Sequence, residues 1–538
     1  MSNSNNYAQI FVFGDSLSDT GNSFALTLGA IPPKPPYFSG RFSNGLVAVE
    51  YLSEGLGLTL KPYYDIGAGN NFAVGGATTG AGNSNNDDIA LFLPEVTLSG
   101  VSEQINAYES SLEDSSADPN AIYLVWAGAN DFFDYLGDTV PTDPAVLLEA
   151  GIDNNLDNVT SLANLGATNI VVPNLPSLGR LPFSAEFGDE ATALTIAYNG
   201  GLSLALDNLD LSKNSPETEV IEVDLFTANE NIAANPEQFG FSNVTDSLLL
   251  SGLDPAETTG FFFWDLFHPT TEAHALFADT IAKTLDGEIP QPTFNDLVGT
   301  EKTDLIFGTE GKDNIDGLAG GDAIFGGDGG DRLEGWSGQD YLFGGRGDDI
   351  IDGGSDVDLI SGGDGNDLLF GSEGDDLIWG NGGRDILVGG SDRDYLKGGS
   401  DADYLLGGLN NDLLWGNEGN DTLNGGDNND LLSGGLGDDL IDGGAGEDTL
   451  FGNDGADIFE LTADFGTDLI EDFQASSDYA SAYPSDRLKL SGGLSFSDLS
   501  FSNSDISLTA TNETLATLSG IDTTSLTESD FIFAEVSS

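Results

Sequence analysis

Over the first 285 residues, apolar runs of strand length alternate with longer segments whose apolar positions recur at helical spacing. The runs that predict strands are residues 8–13, 121–126, 169–172 and 219–223. The segments that predict helices are residues 42–55, 145–165, 190–208 and 271–285. Strands that alternate with helices indicate a parallel sheet covered by helices on both faces.

A second pattern has a period of nine and runs from Gly299 to Glu460 without an insertion or a deletion. Each of its 18 nonapeptides begins with glycine, has aspartate at position six and has a bulky apolar residue at position eight. Glycine permits the backbone conformations of a tight turn, so positions one to six predict a turn. Positions seven to nine predict a short strand whose middle side chain points inward.

The aspartates at position six predict a ladder of metal ligands. They are Asp304, Asp313, Asp322, Asp331, Asp340, Asp349, Asp358, Asp367, Asp376, Asp385, Asp394, Asp403, Asp412, Asp421, Asp430, Asp439, Asp448 and Asp457. Carboxylate and turn carbonyl oxygens are hard ligands that suit calcium. A disordered glycine-rich linker is the alternative, but a linker has no reason to keep apolar residues at one fixed phase.

The repeat G-G-x-G-x-D-x-U-x resembles the RTX calcium-binding nonapeptide. The resemblance implies a parallel β-roll with two nonapeptides per coil and calcium between stacked turns that are 18 residues apart. Nine turns on each of two faces leave eight gaps per face, hence at most ~16 calcium sites. The resemblance further implies export by a type I secretion system that reads an uncleaved C-terminal signal.

Changes in composition divide the chain into four regions. We expect a catalytic domain over residues 1–287, a Pro-rich linker over 288–298, the repeat domain over 299–460 and a β-rich cap with the secretion signal over 461–538. Within the cap, residues 468–473 and 486–490 are predicted to be strands that close the open end of the stack.

The charge balance narrows the possible partners. The chain has 91 acidic and 15 basic residues, a net charge of −76. Such an excess would repel phosphates, which excludes nucleic-acid binding and disfavours anionic membranes. The absence of cysteine excludes disulfides and thiolate metal sites. No cleavable signal peptide is expected from the polar N-terminus, and no transmembrane segment from the apolar runs.

Ser16 follows the first predicted strand, in the sequence GDSLSDTGN. Ligand sites gather at the carboxyl ends of parallel strands, although Ser16 could instead cap a helix. A serine nucleophile needs a base, and the chain has only two histidines, His268 and His274. His268 lies three residues after Asp265, which lets the carboxylate hold Nδ1 while Nε2 faces the serine. His274 falls within a predicted helix and is the weaker candidate.

Four segments, in order, resemble the sequence blocks of the GDSL, or SGNH, hydrolase family. They are residues 14–22, 71–77, 128–131 and 265–269. The resemblance spans residues 8–285 and implies a flavodoxin-like α/β/α fold. It also implies that Ser16 is the nucleophile, His268 the base and Asp265 the residue that orients the base.

The same resemblance implies an oxyanion hole. Its donors would be the backbone N–H groups of Ser16 and Gly76 and the side chain of Asn130. Gly75 is the alternative to Gly76, should the alignment of the second block be shifted by one residue.

The sequence therefore predicts a flavodoxin-like α/β/α hydrolase domain followed by a calcium-binding parallel β-roll and a β-rich cap. We expect a secreted, extracellular bacterial enzyme that hydrolyses acyl esters through an acyl-enzyme on Ser16, with structural calcium and no catalytic cofactor. The segments resemble the lipase, phospholipase and haemolysin branch of the family, and Phe92 and Phe261 to Phe263 favour an acyl chain. The alternatives are a carbohydrate acetylesterase and a calcium-dependent structural protein with an inactive hydrolase domain.

Overall fold

The computed structural model describes residues 7–533 except for 28–30, 34–35, 67–68, 85, 87–96, 113–114, 137–143, 186–187, 208, 210, 212–214, 216, 252, 254–257, 292, 464, 476–484 and 493. The chain forms two compact units, one of Met1–Leu136 with Leu148–Pro292 and one of Gly137–Leu147 with Thr293–Ser538. Each unit has a hydrophobic core of its own.

The first unit is built on a four-stranded parallel sheet. Its strands are β1 (Gln9–Gly14), β2 (Ala121–Trp126), β3 (Asn169–Pro173) and β4 (Glu219–Val223), in the order β1-β2-β3-β4. A parallel bridge between Val12 and Asn71 adds to the sheet beyond β1. Two short strands, β5 (Asn243–Ser247) and β6 (Phe261–Phe263), form a separate pair. The four predicted strands are confirmed, each to within one residue at its ends.

Helices connect and cover these strands. They are α1 (Asn22–Leu26), α2 (Ala48–Gly55), α3 (Tyr63–Ile66), α4 (Val101–Ser111), α5 (Ala129–Leu136), α6 (Pro144–Leu165), α7 (Gly188–Asp207), α8 (Leu225–Ala234) and α9 (Thr271–Leu285). The predicted helices correspond to α2, α6, α7 and α9; Asn208, the last residue of one prediction, lies outside the described residues. Helix α2 begins at Ala48 rather than Phe42, because the side chains of Ser43 and Asn44 bond to the backbone of Pro269 and Thr271 instead.

The two faces of the sheet pack against different helices. On one face, Ile10 and Val12 are fully buried in a cluster with residues of α2 and α9, including Phe277. On the other face, the ring of Phe11 lies 4.9 Å from that of Tyr108 on α4. Because side chains alternate along a strand, this arrangement is a three-layer α/β/α architecture, as predicted.

The second unit is a parallel β-solenoid with two sheets. Sheet I contains β8 (Leu305–Phe307), β10 (Ala323–Asp328), β12 (Tyr341–Arg346), β14 (Leu359–Asp364), β16 (Leu377–Gly382), β18 (Tyr395–Ser400), β20 (Leu413–Glu418), β22 (Leu431–Leu436) and β24 (Thr449–Asp454). Sheet II contains β7 (Asn295–Thr300), β9 (Asp313–Leu318), β11 (Arg332–Glu334), β13 (Ile350–Ser355), β15 (Leu368–Glu373), β17 (Ile386–Ser391), β19 (Tyr404–Leu409), β21 (Thr422–Asp427), β23 (Leu440–Asp442) and β25 (Ile458–Leu461).

Strands within each sheet pair 18 residues apart, as where Leu342 lies opposite Ile360. Two nonapeptides therefore form one coil, as predicted. The residues at position eight form the core between the sheets, and those from Ile315 to Phe459 are at most 1% exposed.

The cap lengthens the solenoid. Its strands are β26 (Asp468–Ile470), β27 (Arg487–Leu490), β28 (Leu499–Ser502), β29 (Asp505–Leu508), β30 (Thr514–Leu518) and β31 (Phe531–Phe533). Strands β26 and β30 continue sheet I, and β27 and β31 continue sheet II. At the other end, β7 begins at Asn295, within the segment predicted to be a linker. The shorter sheet thus has 12 strands, where the repeats alone predict nine coils.

Among the described residues, no helix is both long and apolar enough to cross a membrane.

Candidate functional site

Ser16 lies in the turn after β1, at the carboxyl end of the sheet. Gly14 ends the strand, and a side chain at this position would collide with the carbonyl of Trp126 on β2. The buried side chain of Gln104 holds Gly14 from α4: its Oε1 accepts the Gly14 N–H at 2.8 Å and its Nε2 donates to the Gly14 carbonyl at 2.9 Å. The end of β1, just before Ser16, is therefore held in place by β2 on one side and by Gln104 of α4 on the other.

Ser16, His268 and Asp265 form one hydrogen-bonded chain. Nε2 of His268 lies 2.9 Å from Oγ of Ser16. Nδ1 lies 2.9 and 2.8 Å from the two carboxylate oxygens of Asp265. Oδ1 of Asp265 also accepts the backbone N–H groups of Phe267 and His268. In this geometry the imidazole can take the serine proton while the carboxylate stabilises the imidazolium that forms.

The Tyr37 hydroxyl donates a 2.7 Å hydrogen bond to Oδ2 of Asp265. Burial alone raises the pKa of Asp265, but the charge of His268 and the hydrogen bonds from His268, Tyr37 and Phe267 outweigh burial and hold that pKa below its usual range. Asp265 is thus ionised in the folded protein. Sequence reasoning missed Tyr37, because 228 residues separate it from Asp265 and no motif links them.

Aromatic rings hold Tyr37 and His268 in place. The Tyr37 ring packs edge-on against Phe42 and Trp264, with centroids 6.4 Å apart in both pairs. The Phe42 ring lies 5.2 Å from the His268 imidazole. These contacts restrict the orientation of the base independently of its hydrogen bonds.

The two candidate glycines of the second block differ in their hydrogen bonds. The Gly75 N–H donates to Oδ2 of Asp19 at 3.1 Å and to Oγ of Ser23 at 2.8 Å. No acceptor is found among the described residues for the N–H of Gly76, whose φ is +79°, or for that of Ser16. Gly76 and Ser16 thus have the donors that an oxyanion could use, and Gly75 does not.

Asn130 lies in the first turn of α5. Its Nδ2 donates to the carbonyl of Ala77 at 3.1 Å and lies 3.4 Å from Oδ2 of Asp15, the residue before Ser16. Burial raises the pKa of Asp15 to about 7, and Asp131 adds to this effect, whereas the Leu17 N–H and His268 oppose it. The third block therefore contacts both the first and the second.

His274 is fully buried in α9. Neither of its ring nitrogens has a hydrogen-bond partner among the described residues. Burial, and then the charge of His268, lower the pKa of His274 to about 3. His274 is therefore a neutral residue of the core, and His268 is the histidine bonded to Ser16.

The expectation that Phe261 to Phe263 line an acyl site is wrong. These residues form β6 and are at most 9% exposed, because they pack into the cores behind the site. Phe92 lies outside the described residues.

A different aromatic cluster lies beside the triad. The half-buried rings of Phe133, Phe183 and Phe267 pack together with centroids 4.7 to 6.0 Å apart. The Phe267 ring lies 6.3 Å from the His268 imidazole. These rings come from three separate parts of the chain, so no local pattern could have indicated them.

In the second unit, the aspartates at position six stack into a ladder on each sheet. From Asp322 onward, Oδ1 of each rung accepts the backbone N–H of the rung 18 residues earlier, as where Asp331 accepts from Asp313 at 2.9 Å. Oδ2, by contrast, has no hydrogen-bond partner among the described residues at many rungs. These rungs are Asp322, Asp331, Asp340, Asp349, Asp358, Asp367, Asp376, Asp385, Asp394, Asp403, Asp421, Asp439 and Asp457.

The first rung of each ladder differs from the others. Oδ2 of Asp304 accepts both the N–H and the hydroxyl of Thr300, each at 2.7 Å. Thr309 bonds in the same way to Oδ2 of Asp313, at 2.6 and 2.9 Å. Thr300 and Thr309 stand at position two, where most repeats have glycine. At these two rungs, protein donors occupy the oxygen that has no partner at the rungs named above.

The unpaired oxygens fit calcium. At Gly317, Oδ2 of Asp322 and the carbonyl oxygen of Gly335 lie 2.8 and 3.2 Å from the point where a side chain would begin. The described residues contain no group of three or more His, Cys, Asp or Glu side chains that could hold a metal alone, so backbone carbonyls would have to share the ligation. An all-oxygen set of carboxylates and carbonyls is the chemistry that calcium prefers.

Without a metal, the ladder is electrostatically unfavourable at neutral pH. Burial, and then neighbouring carboxylates, raise the pKa of Asp349, Asp358 and Asp439 to about 8. The same causes raise the pKa of Asp394 and Asp403 to about 9.

Two protein-family models match the chain, one mostly in the first unit and one in the repeats. A family model described as GDSL-like lipase/acylhydrolase matches residues 10–281. The model of the RTX calcium-binding nonapeptide repeat matches residues 298–333, 325–360, 361–396, 397–432, 424–459 and 433–467.

Similar proteins each match about half of the chain. A GDSL esterase/lipase of Arabidopsis thaliana is 27% identical over 51% of this chain and 87% of its own length. The phosphatidylcholine-sterol acyltransferase of Aeromonas hydrophila is 27% identical over 52% of this chain and 91% of its own. The thermolabile hemolysin of Vibrio parahaemolyticus is 28% identical over 51% of this chain and 63% of its own.

Proposed function

Because the chain belongs to the GDSL-like lipase/acylhydrolase family and carries RTX calcium-binding repeats, we propose that it is a secreted serine hydrolase of acyl esters. The observation that carries the proposal is the 2.9 Å contact between Nε2 of His268 and Oγ of Ser16. Asp265 supports the proposal, because it is ionised and bonded to Nδ1 of the same imidazole.

In the proposed mechanism, Oγ of Ser16 attacks the ester carbonyl carbon while Nε2 of His268 accepts the hydroxyl proton. Asp265 stabilises the imidazolium without taking its proton. The alkoxide leaving group then takes the proton from Nε2, and an acyl-enzyme remains on Ser16. His268 then deprotonates a water molecule, which attacks the carbonyl carbon of the acyl-enzyme. The bond to Oγ of Ser16 breaks, Oγ takes the proton back from Nε2, and the acid is released.

The charge that develops on the carbonyl oxygen needs preorganised donors. The N–H groups of Ser16 and Gly76, which have no acceptor among the described residues, are two of the proposed donors. The third is Nδ2 of Asn130, which would exchange its 3.4 Å contact with Oδ2 of Asp15 for the oxyanion and keep its bond to the carbonyl of Ala77. Donors aimed at a developing oxyanion each contribute roughly 3–4 kcal/mol to catalysis.

For the substrate, we favour lipid esters over acetylated carbohydrates. Phe133, Phe183 and Phe267 present apolar surface beside His268, which would suit an acyl chain rather than a sugar. Two similar proteins are named as a phosphatidylcholine-sterol acyltransferase and a hemolysin, which supports the same choice.

Hydrolysis of p-nitrophenyl esters of increasing acyl length tests the function and the substrate class together. We expect higher kcat/KM for long acyl chains than for acetate, and no activity in Ser16→Ala. Phe183→Ala should reduce kcat/KM for long chains more than for acetate, while Phe239→Ala, at an exposed phenylalanine, should change neither. A preference for acetate would favour a carbohydrate acetylesterase, and inactivity toward every ester would refute the proposal.

Calcium is the proposed structural ion of the second unit, with at most ~16 ions in the gaps between the stacked turns of the 18 repeats. Extracellular modules typically bind calcium at ~10⁻⁴–10⁻³ M, so the ladder would remain metal-free in the cytosol and fill outside the cell. We therefore propose export in an unfolded state by a type I secretion system. Coexpression with such a system should place the protein in the medium, and removal of residues 461–538 should retain it in the cell.

A further inference from the structure

The two outer faces of the solenoid differ in chemistry. In sheet I, positions seven and nine of the nine repeat strands point outward, and we call these positions the apolar face. They hold leucine, alanine and aromatic residues, with Ser361, Lys397, Ser433 and Thr449 as the polar exceptions. No acidic residue occurs there, although 91 of the 538 residues of the chain are acidic.

Positions seven and nine of sheet II, by contrast, are not free of acidic residues. They include five acidic residues: Asp316, Glu334, Asp352, Asp442 and Glu460. The coil geometry is the same on both sides, so the needs of the fold do not account for the absence of acids from the apolar face.

Of the 18 positions of the apolar face, four are exposed and fourteen are half-buried. None of its positions is buried, and Leu305, Phe307 and Tyr341 are 63%, 63% and 53% exposed. In sheet II, by contrast, the outward residues of three central strands, such as Leu368 and Leu406, are buried.

Exposed and half-buried rings stack in two regular rows along the apolar face. Phe307, Phe325 and Phe343 stack with centroids 5.2 and 4.9 Å apart, and Tyr395 stacks on Trp415 at 4.5 Å. Since the strands hold these rings at their own spacing, the surface needs no rearrangement to meet a planar partner.

We propose that the apolar face adsorbs the enzyme to an uncharged hydrocarbon–water interface, such as the surface of an ester droplet. The proposal rests on the proposed lipid esterase function and extends it to the physical form of the substrate. Leucine and aromatic side chains gain free energy on leaving water, and tyrosine and tryptophan suit the boundary between water and hydrocarbon. Position three, which flanks the face, holds five acidic residues and one basic residue, Arg346, which pairs with Asp328 and Asp364. The net negative charge of this border would repel an anionic surface.

A polysaccharide, another protein or a second copy of this chain would fit the apolar face less well. A polysaccharide site would need hydrogen-bonding groups beside its aromatic rings, whereas six of the ten other positions of the apolar face hold leucine or alanine. Nine strands at ~4.8 Å spacing and an outward width of ~10 Å give about 400 Å², half of the ~800 Å² per partner of a standard protein interface. Two copies, each with a net charge of −76, would also repel each other.

Cosedimentation with triolein droplets stabilised by phosphatidylcholine, in calcium buffer, tests the proposal. The full chain carries Ser16→Ala, so that the droplets are not consumed. The test variant adds Leu377→Asp and Leu413→Asp on the apolar face. The matched control adds Leu440→Asp and Ile458→Asp, at position seven of sheet II. Circular dichroism checks that both variants keep the roll.

We expect the test variant to lose droplet binding by about tenfold or more and the control to bind like the parent. The same pair of face substitutions, made with Ser16 intact, should leave hydrolysis of a soluble short-chain ester unchanged. Equal binding by both variants would overturn the proposal. So would binding to insoluble polysaccharide in place of droplets, or a dimer in calcium that the face substitutions dissociate. If the wild type binds droplets but hydrolyses no ester, the proposed function fails and the adsorbing face stands.

Discussion

Removal of calcium should unfold the roll at neutral pH but leave it folded near pH 4. In the metal-free folded state, burial and neighbouring carboxylates raise the pKa of five rungs to about 8 or about 9. These rungs are Asp349, Asp358, Asp394, Asp403 and Asp439. An aspartate in the unfolded chain has a pKa of about 3.9. The folded state therefore binds more protons, and its stability falls as the pH rises from about 4 toward about 8.

The size of this destabilisation decides whether the metal-free roll unfolds at neutral pH. A pH of 7.5 is about 3.6 units above the pKa of an aspartate in the unfolded chain. At about 1.4 kcal/mol per pH unit, each rung therefore lowers the free energy of unfolding by up to about 5 kcal/mol. Half of that figure, allowing for solvent screening, is about 2.5 kcal/mol, or about 12 kcal/mol for the five rungs. A typical domain has a free energy of unfolding of 5–15 kcal/mol. Without calcium the roll should therefore lose most or all of its stability at pH 7.5.

Hydrogen exchange of the full chain, followed by mass spectrometry of peptides from residues 298–467, measures this effect separately from the hydrolase unit. In excess chelator, we expect protection of these peptides at pH 4 and its loss by pH 7.5, with labelling times scaled for pH. Calcium should restore protection at pH 7.5, because binding energy appears as folding energy.

A single substitution sharpens the test. Asp394→Asn removes one charge without changing the shape of the side chain. In chelator at pH 7.5 it should stabilise the roll by about 2 kcal/mol, whereas in calcium it should weaken metal binding. Asp427→Asn, at an exposed aspartate of the same roll, should do neither. A metal-free roll that stays protected at pH 7.5, or that is more stable there than at pH 4, would refute the reasoning.

Three further outcomes are expected. Ser16→Ala and His268→Ala should each lower kcat by about 10⁴-fold or more with calcium binding intact, while His274→Leu should remain active; the reverse pattern for the histidines would overturn the assignment of the base. Tyr37→Phe removes a hydrogen bond to a carboxylate, worth about 1.5–3 kcal/mol, so kcat/KM should fall by about tenfold or more. An unchanged kcat/KM would exclude a positioning role for Tyr37. Asp385→Asn should lower the calcium count in native mass spectra and Asp313→Asn should not, because Thr309 already occupies Oδ2 of Asp313; equal losses would show that the threonine cap does not replace metal.

The solenoid was predictable because its information is local and repeated. Each nonapeptide holds the glycines of its own turn and the inward apolar residue of its own strand, so a period of nine is sufficient to predict the coil. The cap strands β26 and β27 were predicted from their composition, but their continuation of the ladder was not. Asp486 in the cap accepts the N–H of Asp457 at 3.1 Å and continues the ladder, but the spacing is 29 residues instead of 18. A change of spacing hides the equivalence from any search for a fixed period.

In the hydrolase unit, alternating apolar runs were sufficient for the sheet and its main helices. The segment around Ser16 and the pairing of His268 with Asp265 were visible because each lies within a few residues. The burial of Phe261 to Phe263 was not visible, since a run of three phenylalanines has the same composition in a loop as in a core strand.

What the sequence by itself determined is therefore whatever a short segment encodes: the strands, the repeat, and the segments that contain Ser16 and the neighbouring Asp265 and His268. Tertiary structure alone decided which distant groups complete them. Tyr37 reaches Asp265 across 228 residues and Gln104 clamps Gly14 across 90. Such contacts depend on how the layers pack, and packing is set by the summed burial of many side chains rather than by any one pattern.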